Sequence, residues 1–253
     1  MAIGQAVDVS TPDGVADAYF TRPGGGDAHP GVLLYMDAFG IRPNLCAMAD
    51  RIADHGYAVL APNLFYRNGR APVVALPDFI ANSDRPALFA DLVPMIAALT
   101  PEVAARDAAA HLDWLASAPE VADGPVAITG YCLGGRLAFV AAAAHGDRIA
   151  AAASFHGGRL ATDAPASPHL RAAGVTAELY FAHADQDPSM TTENIATLES
   201  TLTEHGIRYT SELYSGAEHG FTQADTETYD EPAAERHWTA LLDLLGRALP
   251  GKP

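Results

Sequence analysis

The sequence predicts an α/β fold: a doubly wound, mostly parallel sheet flanked by helices. Two observations carry this. Short apolar runs alternate with amphipathic segments along nearly the whole chain, the rhythm of strands joined by crossover helices. The runs are also apolar throughout, as strands buried on both faces must be. No internal repeat, low-complexity linker or composition break divides the 253 residues, so 1–253 is expected to form one domain without a large cap.

The elements follow in order. Gln5–Ser10 and Gly14–Thr21 flank the turn Thr11-Pro12-Asp13-Gly14 and predict an N-terminal hairpin. The next strand lies in GVLLYMDAFG (31–40), followed by a helix over 45–55 that ends at Gly56 and a strand over 57–62. The stretch 63–101 holds Pro72, Pro77, Pro86, Pro94 and Pro101 and reads as loops and short helices. A helix is expected over 102–116, with Leu112 and Leu115 on one face. The second half gives strands over 125–130, 149–155, 177–182 and 208–214, and helices over 134–144, 191–205 and 231–249.

Composition excludes several functions. Apolar residues make up 49% and charged residues 18%, enough for a large core and too apolar for a disordered chain. With 15 Lys+Arg against 31 Asp+Glu the formal net charge is −16, and no basic cluster exists to meet a nucleic-acid backbone. No uncharged apolar run reaches the roughly 18 residues of a membrane span. MAIGQAVDVSTPDG is not a secretory leader, and two cysteines, Cys46 and Cys132, are too few for a disulfide framework. A cytoplasmic protein is expected. Cys46, among apolar neighbours on a helix, reads as a core thiol. The histidines show no metal-binding spacing, and Gly24-Gly25-Gly26 does not open a helix as a dinucleotide loop does, so neither metal nor cofactor is expected.

In an open α/β sheet, ligands sit outside the carboxyl ends of the strands. Strand PVAIT runs into Gly130-Tyr131-Cys132-Leu133-Gly134-Gly135 and then a helix, the pattern of a sharp elbow that lifts a nucleophile above the sheet edge. A helix N-terminus there favours a thiolate. An acid and then a histidine are expected after later strands. Asp187 follows strand AELYFA and His219 follows strand RYTSELY, with Asp185 the rival acid, nearer its strand. The constellation fits a thiol nucleophile, its base and the orienter of that base.

Met36-Asp37-Ala38-Phe39-Gly40, Gly130-Tyr131-Cys132-Leu133-Gly134-Gly135, Asp187 and His219-Gly220-Phe221 resemble the dienelactone hydrolase family of α/β hydrolases, from about residue 31 to the last helix. The resemblance implies an α/β-hydrolase fold and hydrolysis of carboxylic esters or lactones through an acyl-thioester. It implies Cys132 as nucleophile, His219 as base, Asp187 as orienter, and the N–H groups of Ala38 and Leu133 as oxyanion hole. Asp37 stands where the family has an acid, usually Glu, that touches the resting thiol and modulates it. Asp is one methylene shorter. Four residues after the histidine the family prototype has an Arg that grips a substrate carboxylate, and here Gln223 is neutral. Arg159, after strand IAAAASF, and Arg85, in the long connection, are other cations that could compensate, although each reads first as a solvated surface Arg. The candidates to line the substrate pocket are Phe39, Tyr131, His156, Arg159, Phe221 and Gln223.

The expected partner is a small ester or lactone, met by a monomer or small homo-oligomer. Two alternatives stay open on the sequence. One is a broader esterase or thioesterase for neutral acyl groups, which Gln223 favours. The other is a thiol-based redox or ligand sensor, in which Cys132 is oxidised and turnover is incidental.

Overall fold

A computed structural model describes residues 1–249. Strands β1 (Ala2–Thr11) and β2 (Gly14–Pro23) form the hairpin that the Pro-Asp-Gly turn predicts. They precede β3 (Gly31–Tyr35), β4 (Ala58–Pro62), β5 (Val126–Tyr131), β6 (Ile149–Phe155), β7 (Glu178–Gln186) and β8 (Tyr209–Glu218). One eight-stranded sheet results, in the order β1-β2-β4-β3-β5-β6-β7-β8. β1 and β2 are antiparallel and the six strands from β4 to β8 run parallel. The single-domain α/β class expected from the sequence is the one observed.

Parallel neighbours need crossovers, and helices supply them: α1 (Pro43–Asp54), α2 (Arg85–Ala98), α3 (Pro101–Ser117), α4 (Leu133–Ala144), α5 (Thr192–Glu204) and α6 (Glu231–Ala248). β3, β4 and β5 are buried at every position, as strands sandwiched between helix layers must be. Thr100 caps α3 by accepting the Val103 N–H, and the Thr191–Asn194 capping box starts α5. No single helix among the described residues is long and apolar enough to cross a membrane.

Two expectations are corrected. Within the proline-rich stretch, α2 is a regular 14-residue helix that starts with Pro86 in its first turn and contains Pro94. The first proline is harmless where N–H groups have no intrahelical partner, and the second removes one bond on a helix that buries little beyond Leu92. Strands β7 and β8 also run about four residues past their expected ends. A register irregularity between Ala184 and Gln186 lets the pairing resume at Gln186↔Glu218. That extension matters for function, because Asp187 and His219 come next on each strand.

Candidate active site

Every strand from β5 to β8 delivers a chemically active residue at its carboxyl end: Cys132, His156, Asp187 and His219. Cys132 sits between β5 and α4 with φ 53° and ψ −113°, a conformation that costs a non-glycine residue about 1–3 kcal/mol. Two glycines make the turn sterically feasible. A Cβ on Gly130 would lie 2.1 Å from the Gly134 carbonyl oxygen, and one on Gly134 would lie 2.3 Å from that of Tyr35. The Cys132 N–H donates to the Phe155 carbonyl at 3.0 Å, which holds the elbow against β6.

The Gln186↔Glu218 pair sets Asp187 and His219 side by side. His219 Nδ1 meets Asp187 Oδ2 at 2.6 Å. The other carboxylate oxygen accepts the Ser189 hydroxyl at 2.6 Å and the Ser189 N–H at 2.8 Å. Burial opposes ionisation of Asp187, but His219 and the two Ser189 donors outweigh it and hold the carboxyl below its ordinary range. Asp185 turns elsewhere and accepts the Gly216 N–H at 3.0 Å. On His219 burial opposes the charge; the Cys132 sulfur and the Asp187 carboxylate overcome it and push the imidazole up to about 10.

Around Cys132 lies a cavity of about 470 Å³, whose walls include Ala38, Leu133, Asp187, His219, Arg85 and Phe89. Leu133 opens α4, so its N–H has no intrahelical acceptor. After β3 the turn uses the N–H groups of Phe39 and Gly40 to bond Asp37, and among the described residues no bond uses that of Ala38.

Comparisons with known proteins place the chain in a family. The model of the dienelactone hydrolase family matches residues 16–249. The chain belongs to the dienelactone hydrolase family. A relative from Salmonella typhi, provisionally named a carboxymethylenebutenolidase, is 28% identical over 233 residues, covering 89% of this chain and 80% of its own. One from Synechocystis with the same provisional name is 23% identical over 230 residues, covering 90% of this chain and 89% of its own. Among solved structures, a Klebsiella pneumoniae protein provisionally named a dienelactone hydrolase superposes with a TM-score of 0.84 at 22% identity, over 98% of this chain and 99% of that one. The chain is thus a hydrolase of the α/β-hydrolase fold.

Within this dienelactone hydrolase family member, the predicted pocket residues divide into two groups. Phe39, Gln223 and His156 line a small recess with Cys132 and His219, and Arg159 lines the main cavity. His156, at φ 40°, packs its ring 5.3 Å from that of His219 and bonds Thr222 Oγ1 at 2.8 Å; burial and the neighbouring His219 keep it neutral. Tyr131 and Phe221 are corrections. Tyr131 is fully buried, stacks on Phe155 and meets His237 of α6 at 3.1 Å, because alternation along β5 turns it away from the residue that follows. Phe221 is a core ring stacked on Tyr214.

Asp37 also departs from expectation. Arg42 grips it with two bonds, Nη1 to Oδ1 at 2.7 Å and Nη2 to Oδ2 at 2.9 Å, and the Phe39 N–H donates to Oδ1 at 2.9 Å. No hydrogen bond joins Asp37 to the Cys132 sulfur among the described residues. The same guanidinium donates to Asp225 at 2.5 and 3.1 Å and to Gln223 Oε1 at 2.9 Å. Burial disfavours the Arg42 charge, yet Asp37 and Asp225 raise it above its ordinary value. Sequence reasoning missed Arg42, whose partners Gln223 and Asp225 stand about 180 residues away. It also missed Arg136, although four residues after Cys132 on a helix is the same face.

Proposed function

We propose that the chain hydrolyses carboxylic esters or lactones with Cys132 as nucleophile, His219 as base and Asp187 as orienter. The observation that carries this is the Asp187–His219 hydrogen bond, set beside Cys132 on its strained elbow in the wall of one cavity. As thiolate, Cys132 attacks the ester carbonyl, and the N–H groups of Ala38 and Leu133 hold the oxyanion. The carbon–oxygen bond breaks and protonated His219 gives its proton to the leaving alkoxide. In a lactone the leaving group stays tethered to the acyl-thioester. Neutral His219 then takes a proton from water, which attacks the thioester and releases the acid. Ser189 fixes the carboxylate that fixes the imidazole.

Arg85 favours substrates bearing a carboxylate. It lines both the main cavity and the recess that Gln223 lines, and its Nε is buried without an acceptor. It has the place and the charge to do what neutral Gln223 cannot. Asp37, tied into the Arg42 network, holds the oxyanion turn in shape.

The test is a panel of a carboxylate-bearing dienelactone, its neutral ester analogue and short p-nitrophenyl esters, with wild type run beside Cys132→Ala. Turnover in wild type that falls by about a thousandfold or more in the variant is the expected result. Turnover unaffected by the substitution, or none on any ester, would overturn the proposal.

A further inference from the structure

Fourteen arginines occur in the chain, and all are among the described residues. Eleven are ion-paired to carboxylates. The three that are not, Arg85, Arg136 and Arg159, all line the cavity that holds Cys132. In a protein of net charge −16, carboxylates to pair with are plentiful, so three unpaired guanidiniums around one sulfur are not a by-product of composition.

These three arginines fall into two places. Arg85 belongs to the Phe39–Gln223 recess, and neither Arg136 nor Arg159 reaches it. Arg136 and Arg159 instead line a second groove of about 550 Å³ that Arg85 does not touch. Arg136, Arg159 and Ile96 belong to both the groove and the active-site cavity, so they mark the junction between them. Beyond that junction the groove wall includes Val93, Leu137 and Val140, and its one lining acid, Glu102, is already paired to Arg171.

The backbone presents the pair deliberately. Arg136 stands one helical turn after Cys132 on α4. Arg159 adopts φ 57°, a strained value for its type, with its N–H fixed to the Ser189 carbonyl at 2.8 Å. That carbonyl belongs to the residue that also holds Asp187, so the second cation is referenced to the same loop as the catalytic acid. Burial lowers Arg136 from its ordinary value; the Cys132 sulfur raises it and the nearby Arg159 charge lowers it, the signature of two like charges sharing one space. An anionic group between them would relieve that repulsion.

From this we infer that Arg136 and Arg159 form a second anion subsite, at the junction of the active-site cavity and the groove, which selects elongated acidic esters. The inference rests on the hydrolase proposal above and names its substrate class. The substrate is an ester or lactone with a carboxylate a few carbons from the scissile carbonyl, seated at the mouth of the groove. The groove accepts any apolar continuation. A compact monocyclic lactone with one carboxylate would leave this subsite empty.

The experiment compares mono-p-nitrophenyl adipate with its methyl ester, in which the distal charge is removed and the length kept. The quantity is the kcat/KM ratio, charged over neutral, in wild type, Arg136→Gln, Arg159→Gln and Arg148→Gln. Arg148 pairs with Asp113 on the surface and controls for net charge alone. Wild type is expected to favour the charged ester, and each subsite variant to cut the ratio by on the order of tenfold, more at low salt. Arg148→Gln should leave the ratio where it was. A ratio that does not change in Arg136→Gln and Arg159→Gln, while both esters are hydrolysed, would overturn the subsite and leave the hydrolase standing.

Calorimetric binding of adipate to Cys132→Ala reads the subsite without turnover. Binding that weakens on adding Arg159→Gln supports it even if no ester is hydrolysed. Absence of binding, or binding indifferent to both arginines, counts against it.

Discussion

Beside the turn after β3, Arg42 is buried, bonded to two carboxylates and an amide, and spent on structure. Arg136 and Arg159, in contrast, line the cavity around Cys132 and form no ion pair with any carboxylate among the described residues. The residue type is the same and both settings lie within reach of the active-site loops. What differs is whether the fold itself supplies the counter-charge. A guanidinium that the protein has already neutralised holds loops together, whereas one left without a partner in a cavity is available to a ligand.

Substitution should separate the two settings sharply. Arg42→Ala leaves Asp37 and Asp225 as facing carboxylates, one of them fully buried, and is expected to cost about 3–5 kcal/mol of stability in urea unfolding. A loss below about 1 kcal/mol would mean that the network carries little and that Arg42 is freer than its bonds suggest. Arg85→Gln is the counterpart. It should leave stability within about 1 kcal/mol, since it breaks no ion pair, and lower kcat/KM on a carboxylate-bearing lactone by on the order of tenfold relative to the neutral analogue. Equal losses on both substrates would assign Arg85 to packing against Phe39.

The pH response sharpens the contrast further, because the charge on His219 depends on the Cys132 sulfur. Its folded value, up to about 10, stands above the ordinary 6.5, so folding favours the protonated ring. That stabilisation is complete below about pH 6.5 and is lost as pH rises through about 10. In Cys132→Ala the sulfur's share disappears, and the NMR titration of His219 should move down toward the ordinary value. An unmoved titration would place the sulfur too far away to matter. The smallest effect belongs to Ser189→Ala, which removes one of two Ser189 bonds to Asp187. Stability should fall by about 1 kcal/mol and kcat by a few-fold, with the backbone N–H still holding the carboxylate.

The sheet and the order Cys132, Asp187, His219 were legible in the sequence because both rest on local signals. Continuous apolar runs mark the parallel strands, and glycines at fixed offsets mark the elbow. Of the two aspartates the sequence offers, the structure brings Asp187 to His219, through the resumed β7–β8 pairing at Gln186. What stayed hidden is non-local. Arg42 carries no local signal, because its partners Asp225 and Gln223 reach it only through the fold. Tyr131 and Phe221 looked like pocket residues because they adjoin Cys132 and His219, yet each packs into the core. Helix α2 was hidden by its prolines, which sit where a helix tolerates them.

The most direct test of Cys132 as nucleophile is intact and peptide mass analysis of the protein quenched during turnover of a p-nitrophenyl ester, using His219→Asn to slow deacylation. One acyl group on the peptide containing Cys132, removed by hydroxylamine and absent from Cys132→Ala, is the result expected. An ester hydrolysed at an undiminished rate with no adduct at Cys132, or an adduct on another residue, would contradict it.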